Sequence, residues 1–440
     1  MNFKQYPSYK DSGVEWLGEV PEHWSVKKFG YIFRENKIKN SGLIETNVLS
    51  LSYGRIKEKN IEDNKGLLPE SFETYQIIQP NDIIFRFTDL QNDKRSLRSA
   101  ISKFHGIITS AYIGVRTTAN AEFYNYLFRA YDQQKVFYSM GDGMRQSLKI
   151  DELNRMPIVF PSDVEQQQIV SFLDSETSRI DNLIAKQEKL IEKLEEHRKS
   201  IISHAVTKGL DPDVPMKDSG IEWLGEVPEH WKLLQTRHIF NFGKGLTITK
   251  EDLSDEGIPC INYGEIHSKY GFEFNPLDNP LKCVSHDFIE SNKNCLLNEG
   301  DFIFADTSED LEGSGNFSYL NQKSTVFAGY HTIIARPKSG LNHRYLAYMF
   351  DSNAYRGQVR TEMKGVKVYS VSQGVLKSRL AWLPPIEEQD QIVKLLDEKT
   401  SKIDTLIAKQ RELIAKLKNY RTSIISHAVT GKIDVRDLVA

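Results

Sequence analysis

The sequence predicts an α/β (α+β) fold of two mixed α/β domains separated by two long antiparallel coiled-coil helices, the halves related by a pseudo-two-fold. Three observations predict it. The fourteen residues DSGVEWLGEVPEHW, Asp11 to Trp24, recur as DSGIEWLGEVPEHW, Asp218 to Trp231, differing only at Val14 and Ile221. Residues 165–206 recur as 388–429 with 28 identities in 42 aligned positions. The stretches between these repeats, 25–160 and 232–383, look different from each other, yet each alternates short β-rich runs with a helical one. A repeat of this kind fixes the plan before any single element is assigned: short repeat, variable region, helix, then the same again.

The long repeat reads as helix. Leu173, Ile180, Leu183, Leu190, Leu194 and Ile201 form a stripe with three-and-four spacing, and Leu396, Ile403, Leu406, Leu413, Leu417 and Ile424 form the matching stripe in the second copy. Neighbouring Ile184, Ile191, Ile202, Ile407, Ile414 and Ile425 widen it. Neither copy contains Gly or Pro. Pro161 precedes the first and Pro384 and Pro385 the second, while Gly209 and Gly431 follow as stop signals. A helix this long with one apolar face needs a partner, and its own repeat is the nearest candidate. A two-fold perpendicular to the pair makes it antiparallel.

The variable regions read as mixed α/β. NVLSLSYGRI (47–56), NDIIFRF (81–87) and GIITSAYIGVRT (106–117) are β-rich and bounded by Asn, Gly and Pro, and EGDFIFAD (299–306) and YHTIIARP (330–337) answer them in the second region. Setting Asp82–Phe85 against Asp301–Phe304 suggests one scaffold under two divergent surfaces. A helix over 122–140 and another over 343–360 close the two regions, each followed by a polar loop. In the short repeat, packing is the leading reading: Trp16, Trp24, Trp223 and Trp231 as anchors, Pro21 and Pro228 shaping a turn.

Charge is unevenly spread. The chain is net −3 overall, but residues 25–160 carry 20 basic and 15 acidic side chains, whereas 232–383 carry 17 of each. One region is basic enough to meet a polyanion and the other is neutral, so affinity from phosphate neutralisation is expected to be modest. No apolar run approaches the ~18 residues of a membrane span, the N-terminus lacks the apolar core of a secretory signal, and three cysteines without CxxC spacing suit idle thiols. A cytoplasmic protein without a membrane is expected.

Catalytic motifs are missing. FGKGLT (242–247) has the wrong spacing for a phosphate loop, no Asn/Asp-Pro-Pro-Tyr/Phe or GxGxxG motif occurs, and the histidines show no metal-ligand spacing. The chain is expected to have no catalytic residue, no metal and no cofactor of its own.

With EQxxIVxxLD opening each long helix, TSxIDxLIAKQ inside it and WLGEVPEHW leading each half, the chain resembles the specificity (S) subunit of type I restriction–modification enzymes along essentially its whole length. The resemblance implies a first target-recognition domain over 1–160 with the short N-terminal repeat, a spacer helix over 161–209, a second short repeat and target-recognition domain over 210–383, and a second spacer helix with the C-terminal tail over 384–440. It implies that each domain reads one half of an asymmetric bipartite sequence in double-stranded DNA. The helices would dock two methyltransferase (M) subunits, and two restriction (R) subunits would complete the assembly. S-adenosylmethionine, ATP and Mg would be bound by those partners, which carry adenine-N6 methylation and ATP-dependent cleavage. Two identical partners explain why one surface is written twice.

The DNA-contact candidates lie in polar loops. In the first domain they are Arg86, Lys94, Arg95 and Arg98 within FRFTDLQNDKRSLR (85–98), then Arg145, Gln146 and Lys149. Arg can pair with guanine or grip phosphate, and Gln can read adenine. In the second domain they are Thr307, Ser308 and Asn316 within DTSEDLEGSGN (306–316), then Lys364, Lys367 and Tyr369. A solvated loop is the plain alternative at each, and Arg116 and Arg336, at matching strand ends, suit a structural role. The competing reading of the whole is a coiled-coil scaffold with two peptide- or protein-binding domains and no DNA specificity.

Overall fold

The computed structural model describes residues 3–60, 69, 71–88, 90, 97–140, 147–278, 280–363 and 368–438. They divide into two compact units, Met1–Gln187 with Arg411–Ala440, and Glu188–Gln410.

The first unit is built on strands β1 (Phe33–Glu35), β2 (Leu49–Ser52), β3 (Arg55–Glu58), β4 (Ile83–Phe85), β5 (Ser99–Ile101) and β6 (Ile113–Thr117). Four of them form an antiparallel sheet in the order β1-β6-β4-β5, and β2 and β3 make a hairpin. Helix α1 (Ala121–Gln133) starts at Asn120, whose carboxamide oxygen accepts from the backbone N–H groups of Glu122 and Phe123 at 3.1 Å each. Its aromatic face lies on the sheet: the Tyr124 ring meets Phe33 at 5.2 Å and the Phe128 ring meets Phe85 at 5.0 Å. Helix α2 (Asp163–Lys208) begins in this unit.

The second unit repeats the scheme with β7 (Phe240–Lys244), β8 (Phe272–Phe274), β9 (Phe302–Ala305), β10 (Thr307–Ser308), β11 (Phe317–Leu320), β12 (Thr332–Pro337), helix α3 (His343–Asp351), β13 (Tyr369–Ser370) and helix α4 (Ile386–Val429). Its sheet runs β7-β12-β9-β11-β8, antiparallel except for β8 on β11. Strands β7, β12 and β9 thus take the places of β1, β6 and β4.

One turn is written into both sheets. Before β4, Asn81 takes φ +73° and the Asp82 carboxylate accepts from the Gln79 N–H at 2.8 Å; before β9, Gly300 takes φ +86° and Asp301 accepts from the Asn298 N–H at 2.8 Å. Only Gly, Asn and a few others hold that conformation at low cost. Each aspartate then receives an arginine from the neighbouring strand. Arg116 grips Asp82 through Nε at 2.7 Å and Nη2 at 3.0 Å, and Arg336 Nε reaches Asp301 at 3.1 Å. Arg116 and Arg336 are therefore braces of the sheet.

The first half of α2 shares its unit with the second half of α4, and the second half of α2 shares its unit with the first half of α4, so the helices run antiparallel. In the first unit Arg421 Nε pairs with Asp181 at 2.9 Å; in the second, Arg198 Nε lies 3.3 Å from Asp404, which is the same contact one repeat away. Burial corrects the expected seam. Leu173, Ile180, Leu396, Ile403 and Ile424 are buried, and Leu183, Leu194, Ile201 and Leu417 half-buried, but Leu190, Leu406 and Leu413 are 41–45% exposed. Buried Ile407 and Ile414 stand beside the last two. Counting four and three from Leu396 passes through Thr400, Ile403, Ile407, Ile414 and Leu417, so the second member of each Leu-Ile doublet carries the seam. Ile407→Ala should cost about 2–4 kcal/mol, whereas Leu406→Lys should change folding stability by no more than about 0.5 kcal/mol. Denaturant unfolding of both variants checks the phase; equal losses would reject it.

Candidate nucleic-acid interface

The repeated residues form one fastening network in each unit. In the first, His23 Nε2 lies 3.0 Å from Glu165 near the start of α2, and Gln166 donates to the Pro161 carbonyl at 2.9 Å while its oxygen receives the Asn120 N–H at 3.3 Å. The Tyr126 hydroxyl donates to Asp174 at 2.7 Å. In the second, His230 Nε2 is 2.7 Å from Glu388, Gln389 donates to the Pro384 carbonyl at 2.9 Å and receives the Asn342 N–H at 3.0 Å, and the Tyr348 hydroxyl donates to Asp397 at 2.6 Å. Trp24 and Trp231 are buried against Gly431 and Gly209, the residues that follow the ends of the helices. At Gly431, φ +72° and a Cβ position 2.3 Å from Pro21 leave room for glycine alone. The short repeat thus joins the start of one long helix to the end of the other, the packing role expected of it. Trp223, at 47% exposed, is the member that faces outward.

Upon these frames the two α/β surfaces differ. In the first unit Lys94, Arg95, Arg145 and Gln146 lie outside the described residues. Arg86 is half-buried in the backbone ladder, its N–H bonding the Arg98 carbonyl at 2.8 Å, and Lys149 is exposed at the start of the short helix Ile150–Arg155. Arg98 corrects the expectation. It is 0% exposed, its guanidinium donates to the Thr88 carbonyl at 3.2 Å and faces the Tyr138 ring, and its own N–H bonds Asp132 at 3.0 Å. An arginine with that surrounding organises the loop from inside and does not meet a duplex.

The second unit presents a cleft. Lys364 and Lys367 lie outside the described residues, but β10 pairs with β13, Ser308 opposite Tyr369, beside a hollow of about 700 Å³ lined by Tyr263, His267, Thr307, Ser308 and Asn316. A second hollow of about 700 Å³ shares Thr307 and His331 with it and adds Lys244, Tyr330 and Gln373. Asn316 is the second correction: it donates to His267 Nδ1 at 2.9 Å and accepts from Arg356 Nη1 at 2.8 Å. His267 Nε2 in turn lies 2.7 Å from the Thr307 carbonyl. Asn316 therefore ties β10 to the Arg356 helix, its carboxamide engaged on both sides within the unit. Ser308 is buried, its hydroxyl donating to the Asp310 carbonyl at 2.7 Å, and Thr307 and Tyr369 are half-buried.

Sequence patterning missed the residues that shape this cleft. His331 has φ +54°, rare for a side chain of its size, and its Nδ1 lies 3.1 Å from Asp306 while Tyr263 and Tyr330 flank its ring at 5.4 and 5.8 Å. YHTIIARP announced a strand; only the fold shows that its first two residues overhang the cleft. Glu309, Asp310 and Glu312 make the rim acidic. Such a rim disfavours phosphate, and acceptors there suit the amino groups that cytosine and adenine present in the major groove.

Residues 228–416 match the family model described as the type I restriction modification DNA specificity domain. The chain is 22% identical over 428 residues to the MjaVIII type I specificity subunit of Methanocaldococcus jannaschii, covering 95% of each. It is 23% identical over 303 residues to the EcoKI specificity subunit of Escherichia coli K12, covering 65% of this chain and 60% of that one. Along nearly its whole length the chain is thus similar to type I specificity subunits. In fold, the HsdS subunit of Thermoanaerobacter tengcongensis matches 94% of this chain and 98% of its own with a TM-score of 0.53. A chain from a structure of a type I restriction–modification system matches 93% and 98% with a TM-score of 0.69. These relatives give the scaffold alternative no support.

The fastening network is thus the same in both units, while the surfaces above it differ. Among the described residues no group of His, Cys, Asp and Glu is placed to hold a metal, and no helix is long and apolar enough to cross a membrane. Cys260, Cys283 and Cys295 are free thiols, and burial pushes the Cys260 thiol up to about 12, far from the low values of reactive thiolates.

Proposed function

We propose that this chain is the DNA sequence-recognition subunit of a type I restriction–modification complex, each α/β surface reading one half of an asymmetric bipartite target. The observation that carries the reading is the fastening network, present twice with equivalent residues beneath two unlike surfaces. Identical frames serve two identical methyltransferase subunits along the long helices, and unlike surfaces serve two different half-sites. A pseudo-two-fold protein matches the two-fold relation between DNA strands, and a fixed spacer sets the half-sites about one helical turn apart, ~34 Å. Methyl transfer from S-adenosylmethionine to adenine N6 belongs to those partners, and ATP- and Mg-dependent cleavage to two restriction subunits. This chain supplies position and sequence choice, with no catalytic residue and no cofactor of its own.

In the second unit the reading surface is the cleft along β10 and His331, where Thr307, Tyr369 and the His331 ring reach base edges. In the first unit Lys149 contacts the backbone. Co-expression with the cognate methyltransferase subunit, followed by sequencing of host DNA for modified adenines, tests the proposal. One bipartite motif with a fixed gap supports it. A stable complex that leaves no motif refutes DNA reading by this chain.

A further inference from the structure

The hairpin β2–β3 of the first unit has features that its packing does not require. Its tip, Tyr53-Gly54, places both residues at positive φ, +47° and +70°. That two-residue turn follows the twist of the strands, and Asn-Gly is its favoured filling. A bulky aromatic residue there is strained, and Tyr53 is 80% exposed, so no burial within the chain offsets the strain.

The tip is also braced. Arg129, on α1, donates through Nη2 to the Gly54 carbonyl at 2.5 Å, and a Cβ on Gly54 would stand 2.7 Å from Leu97. Behind the tip, Arg55 and Lys57 are exposed on β3 and Lys59 one residue past its end; between them lie buried Ile56 and exposed Glu58, whose carboxylate accepts from Asn47 at 3.2 Å. Ser52 and Ser50 stand opposite Arg55 and Lys57 across the hairpin, so no carboxylate neutralises them from the partner strand. None of the three forms an ion pair with another described residue. Two residues of strand advance ~6.7 Å, close to two nucleotide steps of ~3.4 Å along one DNA strand.

We propose that this hairpin is the element of the first unit that grips duplex DNA: Arg55, Lys57 and Lys59 neutralise phosphates along one strand, and Tyr53 enters the adjoining groove as a specificity-determining contact for that half-site. The inference rests on the DNA-recognition reading above. It moves the contact from the loop 85–98, where Arg98 is turned inward, to the strand pair whose tip Arg129 holds.

The test uses the full chain in complex with its methyltransferase subunit, a duplex bearing the motif found by sequencing, and a scrambled duplex. Arg55→Ala/Lys57→Ala/Lys59→Ala should weaken both duplexes alike and reduce the slope of log affinity against log salt by about 2.7. Tyr53→Asn, which suits the turn better than tyrosine and so preserves the fold, should relax discrimination at bases of one half-site by about tenfold and leave the other unchanged. Lys103→Ala, exposed in the same unit, should leave the slope as it is. An unchanged slope in the triple variant, with wild-type complex still selecting its motif, overturns the hairpin assignment and spares the recognition reading. Full half-site discrimination by Tyr53→Asn overturns the role of Tyr53. Failure of the wild-type complex to prefer its motif overturns the recognition reading itself.

Discussion

Trp24→Ala is expected to destabilise the first unit by about 3–5 kcal/mol, the cost of emptying a fully buried indole site. The ring is 0% exposed, lies 5.9 Å from Tyr6 and packs against Gly431, so its loss opens a cavity where the start of α2 and the end of α4 are joined. The two copies should then part company under a gentler change. Trp24 Nε1 has no hydrogen-bond partner among the described residues, whereas Trp231 Nε1 donates to Glu388 at 3.1 Å. Trp24→Phe should therefore cost less than Trp231→Phe, by about 1 kcal/mol. Hydrogen exchange localises the effect: protection should fall first around residues 11–24 and 424–435 for Trp24→Ala. A loss below about 1 kcal/mol would mean that the repeat does not carry the junction.

Arg116→Ala should cost about 3 kcal/mol, the lower part of the range for stranding one member of a buried pair, since the arginine side chain is 33% exposed while that of Asp82 is 3%. Removing both members should recover part of the loss, and the double-mutant cycle measures how much. In the second unit the equivalent Arg336→Ala adds a pH signature. Burial raises the Asp301 carboxyl above its ordinary value, against the lowering pull of the Asn298 N–H and Arg336. A carboxyl raised on folding adds stability below its unfolded pKa, and that stability is lost as pH rises through its folded pKa. The Arg336→Ala deficit should thus shrink in acid, where Asp301 takes a proton, and be full near neutrality. Urea unfolding at acidic and neutral pH checks this. A deficit that grows in acid would contradict the brace.

Repetition made most of the architecture legible. The prolines and glycines bounding 163–208 and 386–429 place both long helices, and Asp82–Phe85 against Asp301–Phe304 identifies the shared strand with its turn. The seam was legible only to within one residue, because Leu-Ile doublets such as Leu406-Ile407 offer two apolar neighbours and only the unbroken four-three count selects the second. Side-chain direction in loops was not legible. Arg98 and Asn316 have the composition of DNA contacts, yet tertiary partners far along the chain, Tyr138 and Arg356, claim them. His331 and Tyr53 gave the opposite error: each sat inside a run read as strand, and a positive φ, invisible in sequence, turns each toward solvent.

The direct test of one frame under two readers is an exchange: residues 25–160 are replaced by a second copy of 232–383, and the chain is co-expressed with its methyltransferase subunit for sequencing of modified adenines. Two identical surfaces, each on its own copy of the fastening network, predict a symmetric bipartite target, the second half-site facing its own inverted copy across the gap. An unchanged asymmetric motif, or no motif from a complex that still assembles, would contradict the assignment of one half-site to each surface.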